Sequence, residues 1–125
     1  MLANARLHAT LPCTDYERAK AFYRDKLGLT PSSDEPGGAF YDGRDGSRFF
    51  LFPSSGRPSG SHTQMGFVVD DIEAEVRELK GRGVEFEQYD FPGFDKDKGF
   101  ATTGEIRSAW FKDSEGNLLG IVQLR

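Results

Sequence analysis

Apolar and polar residues alternate along the first strand-like segment of the chain. Leu7, Ala9 and Leu11 occupy every second position, with polar side chains between them. Because a half-buried β-strand has this period, the pattern predicts a strand over residues 6–11. Pro12 follows at once and is expected to end the strand. A different period starts a few residues later, so another kind of element comes next.

A helical spacing of apolar side chains follows this strand. Thr14 and Glu17 have the separation of a capping box, and Gly28 supplies the position after the last helical turn. The spacing therefore predicts a helix of about 13 residues that buries one face. The apolar positions of that face are Tyr16, Ala19, Phe22, Tyr23 and Leu27.

Aromatic segments close the first half of the chain. Residues 39–41 and 48–52 flank the turn 42–47, whose glycines permit the positive φ angles of hairpin turns. A further, less regular strand is expected near residues 29–32. The first half is thus predicted to run strand, helix, strand, strand, strand.

The same succession of patterns returns after a polar segment rich in Gly and Ser. That segment, residues 54–61, has the composition of a flexible linker, so we expect one domain over 1–125 with half-modules at 1–53 and 62–125. The elements predicted for the second half are a strand at 64–69, a helix from 72 to a stop at 81–83, a strand at 84–87 and a hairpin of 106–111 with 118–124.

Residue spacing supports an internal repeat. His8 corresponds to Gln64 at an offset of 56, and Phe50 corresponds to Gly120 at an offset of 70. One half alone could not bury its sheet, so the two halves must join. The predicted fold class is α+β, with two βαβββ modules forming a cupped mixed sheet.

Composition excludes several classes of function. The net charge of −4 and the pI near 5.2 disfavour nucleic acid, which requires a cationic stripe, and the basic residues here are scattered. No apolar run approaches the roughly 20 residues of a membrane span, and residues 1–6 show no apolar leader core. A cytoplasmic protein with neither nucleic-acid nor membrane partners is expected. Cys13, the single cysteine, is expected to be buried at a strand end.

Aromatic residues are the one unusual bias of the composition. Eleven Phe, four Tyr and one Trp make up 13% of the chain, more than a core of this size needs. The excess indicates that some of them line a small-molecule cavity. Segment 89–105, the longest stretch without a clear period, is expected to cover the cavity mouth or to dock on a partner subunit through Tyr89, Phe91, Phe94 and Phe100.

Two motifs resemble those of a known family. Residues 15–28 resemble the first-helix pattern D-x-x-x-A-x-x-F-Y-x-x-x-L-G of the vicinal oxygen chelate superfamily, and residues 111–117 resemble its last turn, F-x-D-P-x-G-N, with Ser114 in place of the proline. The superfamily includes glyoxalase I, extradiol dioxygenases, fosfomycin-resistance enzymes and bleomycin-resistance proteins. The resemblance implies the βαβββ repeat and a homodimer, since in related proteins two chains often complete each cup.

Metal-dependent members of this superfamily hold their ion at four strand positions. By the resemblance these positions fall on His8, Phe50, Gln64 and Gly120, so neither of the family's carboxylates is present. One imidazole and one neutral amide would hold Zn²⁺, Ni²⁺ or Fe²⁺ weakly and leave its charge uncompensated. We therefore expect no metal and no cofactor, and neither glyoxalase I nor extradiol dioxygenase chemistry.

Strand alternation divides the side chains of the sheet between two faces. The face beneath the cup is uniformly apolar, as helices packed against it require: Leu7, Ala9, Leu11, Phe49, Leu51, Met65, Phe67, Val69, Leu119 and Ile121. The cup face has few polar anchors among aromatic groups, which is typical of a ligand site. The predicted ligand-binding residues are His8, Thr10, Arg48, Phe50, Phe52, Gln64, Tyr89, Phe91, Phe100, Trp110 and Gly120, and His8 is the candidate catalytic residue.

Purely structural interpretations of the polar residues stay open at this point. His8 could be a hydrogen-bonded side chain at a strand edge, and Gln64 could bond to it or to water in a collapsed cup. Arg48 would pair with an acidic group of a ligand if it points into the cup, but would be a solvated charge on the rim.

Three functions are compatible with the sequence. The first is the binding or transformation of a small, partly apolar metabolite without a divalent metal, with His8 as polar anchor or general acid/base. The second is antibiotic sequestration similar to that of bleomycin-resistance proteins. The third is a metal-dependent lyase or dioxygenase, which would need Glu85, Glu87 or Glu105 to replace the missing ligands. Whether the chain is an enzyme is left open.

Overall fold

Helices and strands follow one another in two similar series along the chain. The computed structural model describes all 125 residues. The elements are a 3₁₀ turn at Leu2–Asn4, β1 Ala9–Cys13, α1 Tyr16–Leu27, β2 Ser33–Glu35, β3 Gly38–Asp42, a 3₁₀ turn at Arg44–Gly46, β4 Arg48–Pro53, β5 Met65–Val68, α2 Ile72–Gly81, β6 Phe94–Asp95, β7 Phe100–Thr103, β8 Ile106–Lys112 and β9 Leu118–Gln123.

The strands form two separate mixed sheets, one from each half of the chain. The first has the order β1-β4-β3-β2, and the second has the order β5-β9-β8-β7-β6. The first strand of each half pairs parallel with the last strand of the same half, and all other pairs are antiparallel. The α+β class and the two βαβββ-type sheets predicted from the pattern are confirmed.

Strand register confirms the internal repeat. Thr10 lies opposite Phe50 in the first sheet, and Gly66 lies opposite Gly120 in the second. These pairs are related by the offsets of 56 and 70 that the sequence spacing predicts. The two hairpins β3–β4 and β8–β9 match in the same way, so the halves share one backbone framework.

The predicted capping box of the first helix is wrong. Asp15, with extended φ and ψ, is the N-cap of α1, and its side chain accepts a hydrogen bond from Arg18 N at 3.0 Å. Thr14 instead contacts Glu115 from the second half. The predicted end is correct, because Gly28 takes the left-handed conformation with φ 71°.

The first strand differs from its prediction at both ends. It begins at Ala9, so His8 lies just before it, and it continues through Pro12 to Cys13. A proline is tolerated there because β1 is an edge strand, with one side that makes no ladder hydrogen bonds. Cys13 is buried as expected, and burial raises the pKa of its thiol to about 11.

Three short strands escaped the sequence pattern. The strand expected near 29–32 lies at Ser33–Glu35, and the segment 89–105 contains β6 and β7. The strand predicted at 84–87 makes only one bridge, from Phe86 to Phe111. Strands of two to four residues are too short to show a period of two, whereas segment 84–87 alternates correctly but packs through its side chains.

Both halves contribute to a single hydrophobic core. It includes the sheet residues that face the helices and the buried faces of the two helices. Two side chains depart from their expected places: Leu7 is 90% exposed instead of buried, and Phe100 is 4% exposed within the core instead of facing the cup. The sixteen buried members are Leu11, Cys13, Ala19, Tyr23, Ala39, Tyr41, Phe49, Leu51, Ile72, Val76, Val84, Phe100, Ala109, Phe111, Leu119 and Ile121.

A buried hydrogen-bond network at the β8–β9 turn joins the two halves. The hydroxyl of Tyr23 on α1 donates to Asp113 Oδ2 at 2.7 Å, and Asn117 Nδ2 donates to the same oxygen at 2.9 Å. Asn117 Nδ2 also donates to the carbonyl of Pro12 at 2.9 Å. Burial and the adjacent charge of Asp113 raise the pKa of Tyr23 well above its ordinary value, so the phenol remains a donor.

A second carboxylate of the same turn holds the start of α1. Glu115 Oε1 accepts from the backbone N–H groups of Thr14 at 2.9 Å and Asp15 at 3.0 Å, and Arg18 Nε donates to Glu115 Oε2 at 2.8 Å. Its side chain is only 1% exposed. Burial alone would raise the pKa of Glu115, but the hydrogen bonds from Arg18 and from the backbone hold it at about 2. Glu115 is therefore an ionised, almost fully buried link between the halves.

Candidate functional site

The first sheet carries a row of aromatic rings on the side away from the core. Phe40 and Phe50 lie at 4.6 Å between ring centroids, and Phe50 and Phe52 at 6.2 Å. All three are half-buried, while Phe49 and Leu51 between them point into the core. The alternation predicted for β4 is therefore correct, and it leaves one apolar face without a cover in this chain.

Polar side chains stand at one end of this row. His8 stacks on Phe40 at 5.8 Å and makes no hydrogen bond to another protein group, and Thr10 is exposed beside Phe50 in the register. The outward row and these two residues, together with Arg48, form what we call the first-half surface: His8, Thr10, Phe40, Arg48, Phe50 and Phe52.

Arg48 packs over Phe40 on this surface and is held by its cross-strand neighbour Asp42. Its guanidinium carbon is 4.4 Å from the centroid of the Phe40 ring, a cation–π distance. Nε and Nη2 both reach Asp42 Oδ1 at 2.9 Å. The hydrogen bond from Arg48 holds the pKa of Asp42 below its ordinary value, so the pair is ionic at neutral pH.

A cavity of about 600 Å³ opens beside His8. Its lining comes from residues 6–8, ahead of β1, and from the β3–β4 hairpin between Phe40 and Arg48. No residue of the second half lines it. The volume lies within the range of small-molecule sites, and all of the lining comes from the first half of the chain.

The second sheet carries a different aromatic group on its outward side. Trp110 contacts Tyr89 at 5.4 Å and Phe91 at 6.5 Å between ring centroids, and Phe94 packs on both of the latter. Residues of the 89–105 segment thus fold onto β8. With Gln64 and Gly120 they form the second-half surface: Gln64, Tyr89, Phe91, Phe94, Trp110 and Gly120.

Gly120 makes room for the indole of Trp110. A Cβ atom at this position would lie 3.5 Å from the Trp110 ring and 3.3 Å from Thr63 Cγ2. The indole Nε1 donates to Thr63 Oγ1 at 3.0 Å, which fixes the ring over the glycine. Gly120 therefore belongs to the second-half surface because it has no side chain.

Phe94 was not among the predicted ligand-binding residues. The aromatic composition of segment 89–105 was the sequence feature that could have indicated its place in this surface.

Gln64 has a buried acceptor that this chain does not satisfy. Its Oε1 is inaccessible and has no hydrogen-bond partner, although its backbone N–H donates to Leu118 O at 2.9 Å. No hydrogen bond joins Gln64 to His8. An unpaired buried acceptor is unfavourable by about 1–3 kcal/mol, so the amide lies where a further donor would be favourable.

The predicted site residues are not brought together within one chain. No aromatic contact joins the first-half surface to the second-half surface, and Phe100 lies in the core under Arg107, 4.8 Å from its guanidinium carbon. The halves meet instead through their buried faces, in the shared core. Each chain therefore presents two separate aromatic surfaces.

The residues that the resemblance assigns to the family's metal positions, His8, Phe50, Gln64 and Gly120, do not fit a divalent ion. Phe50 and Gly120 have no side-chain donor atom, and nowhere does the chain bring together three or more His, Cys, Asp or Glu side chains that could hold a metal. Two of the three carboxylates considered as replacement ligands pair with basic side chains: Glu87 lies 3.8 Å from Lys112, and Glu105 lies 3.5 Å from Arg125.

Comparison with known proteins identifies the family. The model of the Glyoxalase/Bleomycin resistance protein/Dioxygenase superfamily matches residues 6–121, so the chain belongs to this superfamily. A curated relative, the uncharacterized protein YurT of Bacillus subtilis (strain 168), is 31% identical over 126 residues, covering 87% of this chain and 91% of YurT.

Solved structures of the same fold include antibiotic-binding and bleomycin-resistance proteins. UcmS2 superposes with a TM-score of 0.74 at 23% identity, over 95% of this chain and 98% of that one. The bleomycin resistance determinant encoded on transposon Tn5 gives 0.72 at 20% identity, over 96% and 98%. TnmS3, an antibiotic binding protein from Streptomyces sp. CB03234, gives 0.67 at 26% identity, over 95% and 97%. These likenesses confirm the fold.

Neither helix has the length and apolar character needed to cross a membrane.

Proposed function

We propose that this protein binds a small, largely aromatic organic molecule, without a divalent metal, between the first-half surface of one chain and the second-half surface of a partner copy. The observation that carries the proposal is the pair of aromatic surfaces on the outward faces of the two sheets. Aromatic rings gain most when both faces are covered, and a ligand between two such surfaces would cover both.

The open cavity beside His8 supports a site built from two chains. All of its lining residues belong to the first half of the chain, among them Phe40 at the end of the aromatic row, and none comes from the second half. The repeat makes the second-half surface the structural counterpart of the first, so a twofold dimer would place each opposite the other and create two identical sites. The outer edges of β1 and β5, which pair with no strand of this chain, are available for such a contact.

His8 would serve this site as a polar anchor. A histidine acts best as a general acid or base when a second group fixes the tautomer and orientation of its imidazole. His8 stacks on Phe40 but receives no hydrogen bond that would orient it. This arrangement supports binding as the primary function, with His8 as the first residue to examine if turnover is found.

Antibiotic sequestration is the second candidate function. The specific observation in its favour is the 26% identity to TnmS3, described as an antibiotic binding protein, over nearly the full length of both chains. It uses the same two surfaces and differs only in the identity of the ligand. A metal-dependent lyase or dioxygenase has no support from the side chains present.

Mixed dimers test whether the site is shared between chains. One chain would carry Phe50→Ala in the first-half surface, the other Trp110→Ala in the second-half surface, with two affinity tags to isolate the heterodimer. The probe is N-phenyl-1-naphthylamine, a neutral dye that fluoresces in apolar sites. If sites form between chains, this heterodimer keeps one intact site, about half of the wild-type capacity, while either variant alone has none.

The matched control carries both substitutions in one chain, paired with a wild-type chain. Each of the two shared sites then carries one of the substitutions, and no binding is expected. A site formed within one chain predicts the reverse, with half capacity in the control and none in the first heterodimer. That reversed result, or a monomer by native mass spectrometry, would overturn the shared site, and failure of the wild-type protein to bind aromatic probes would overturn the function.

A further inference from the structure

The lining of the cavity beside His8 carries an excess of positive charge, although the chain as a whole is acidic. Among the residues that line the cavity beside His8, the charged ones are Arg6, Arg48 and Asp42. Two guanidinium groups and one carboxylate leave an excess of positive charge there, whereas the whole chain has a net charge of −4. A local field opposite in sign to the overall charge favours an anionic ligand at this position.

Arg48 retains hydrogen-bonding capacity for a ligand. A guanidinium has five N–H donors, and Asp42 Oδ1 accepts a hydrogen bond from Nε, while Nη2 lies 2.9 Å from the same oxygen as an ion-pair contact. Nη1 and the second N–H of Nη2 have no partner within the chain. Because the side chain is 41% exposed, these donors can be reached from the cavity.

The position of the Arg48 guanidinium favours one kind of anion. Asp42 holds the guanidinium with its carbon 4.4 Å from the centroid of the Phe40 ring, so the free N–H groups of its planar fork lie beside the aromatic row. Such a fork matches two oxygens of one carboxylate or sulfonate, and aromatic rings bonded to that group would extend over Phe40 and Phe50.

Arg6 adds a charge that nothing in the chain neutralises. Its guanidinium forms no ion pair, unlike that of Arg48, and it lines the same cavity. An exposed and unpaired cation contributes little in open solvent, but more where a cavity partly excludes water.

We propose that the site selects an aromatic anion, a planar ring system bearing a carboxylate or sulfonate, with Arg48 as the residue that binds the acidic group and Arg6 as a supporting charge. This rests on the proposed function, since it assigns the ligand class of the same site. A cationic antibiotic would meet like charge on the first-half surface, so the proposal also separates metabolite binding from sequestration of a cationic drug.

Two dyes with one ring system provide the test. 1-Anilinonaphthalene-8-sulfonate carries the anion, and N-phenyl-1-naphthylamine has the same rings without it. Both would be titrated by fluorescence against the full-length wild-type protein and Arg48→Gln. We expect Arg48→Gln to weaken binding of the sulfonate about tenfold, the usual effect of losing a charged hydrogen bond, and to leave the neutral dye within about twofold.

Matched variants separate local recognition from overall charge and from misfolding. Arg24→Gln removes the same charge from α1, where Arg24 pairs with Asp25 outside the cavity, and should leave both dyes unaffected. Arg48→Lys keeps the charge but not the fork, so it should weaken the sulfonate by about threefold only. Circular dichroism confirms that each variant is folded.

Two outcomes overturn the assignment of Arg48. Equal loss of both dyes in Arg48→Gln would mean that the side chain only supports the aromatic row, and unchanged sulfonate binding would mean that it does not bind the acidic group. The proposed function would survive either result, because the neutral dye still reports on the wild-type site. Failure of both dyes to bind the wild-type protein would instead remove the proposed function and the ligand class together.

Discussion

The two halves of the chain share a backbone framework but use it differently on their two faces. The buried face is apolar in both, with Phe49 and Leu51 of β4 matched by Leu119 and Ile121 of β9. The outward faces have diverged: Phe50 of the first half corresponds to Gly120 of the second. Core packing requires apolar residues on the buried face of both halves. The outward faces have no such requirement, and their side chains differ between the halves.

The hairpin turns provide a second comparison. Gly43 N–H donates to Ser47 O at 2.8 Å in the first half, and Asp113 N–H donates to Asn117 O at 3.0 Å in the second, so the backbone turn is the same. The first turn reaches the segment before α2 only through the exposed pair of Arg44 and Asp70 at 3.3 Å. The second is buried against the start of α1. The β8–β9 turn therefore joins the two halves, whereas the β3–β4 turn contributes only one exposed ion pair between them.

Replacing the centre of the buried turn should have the largest effect on the unfolding free energy. Asp113→Ala removes the acceptor of Tyr23, of Asn117 Nδ2 and of two backbone N–H groups, and it leaves the buried Tyr23 hydroxyl and the Asn117 N–H without partners. We expect a loss of about 3–5 kcal/mol by urea denaturation. The matched control, Asp70→Ala in the exposed contact, should leave the urea midpoint unchanged. Equal effects of the two substitutions would contradict the asymmetry between the turns.

Acid titration should reveal the contribution of Glu115. Its folded pKa of about 2 lies below the ordinary 4.5, so the stability it adds is complete above pH 4.5 and is lost as the pH falls toward 2. Glu115→Gln should cost about 2 kcal/mol at pH 7, because the salt link to the start of α1 is removed.

The Glu115→Gln variant should also lose most of the change in unfolding free energy between pH 4.5 and 2. Urea denaturation at several pH values in that window measures the difference between the two proteins. A variant with the same pH dependence as the wild type would show that other carboxylates are responsible for the acid sensitivity.

A side chain at Gly120 should produce the smallest change in stability but a distinct optical signal. Gly120→Val places atoms against Thr63 and the Trp110 ring, so we expect a cost of about 1 kcal/mol and displacement of the indole. Trp110 is the only tryptophan, and its emission should shift to longer wavelength as it becomes exposed. Gly66→Ala is the control, because its Cβ would meet only Gly120 O at 3.8 Å. An unshifted spectrum would contradict the close packing of Trp110 on Gly120.

Much of the fold was predictable because it depends on local periods. Helix α1 ends at Gly28 as predicted, and the offsets of the repeat agree with the strand register. The N-cap of α1 was misassigned by one residue, since Thr14 and Asp15 are both residue types that cap helices well. In the folded chain Thr14 donates hydrogen bonds to Glu115 of the other half, and Asp15 caps the helix. Strands β6 and β7 escaped because they are too short for a period to show.

The candidate site was only partly predictable. Alternation correctly assigned Phe50 and Phe52 to the outward face of β4. Composition alone grouped Phe100 with the ligand-binding residues, whereas that side chain lies in the core. Segment 89–105 had no period from which to assign faces, so its aromatic residues could be recognised only by composition. Trp110 and Tyr89 came together through the folding of that segment onto β8.

The sequence alone determined which side of each long strand is apolar, that the pattern occurs twice, and that the family's metal positions carry no carboxylate. These properties follow from local spacing and residue identity. Only the tertiary structure decided that the two apolar faces meet in one core and leave the aromatic surfaces apart. The hydrophobic effect is non-directional, so a local period defines a face to be buried but does not determine what covers it.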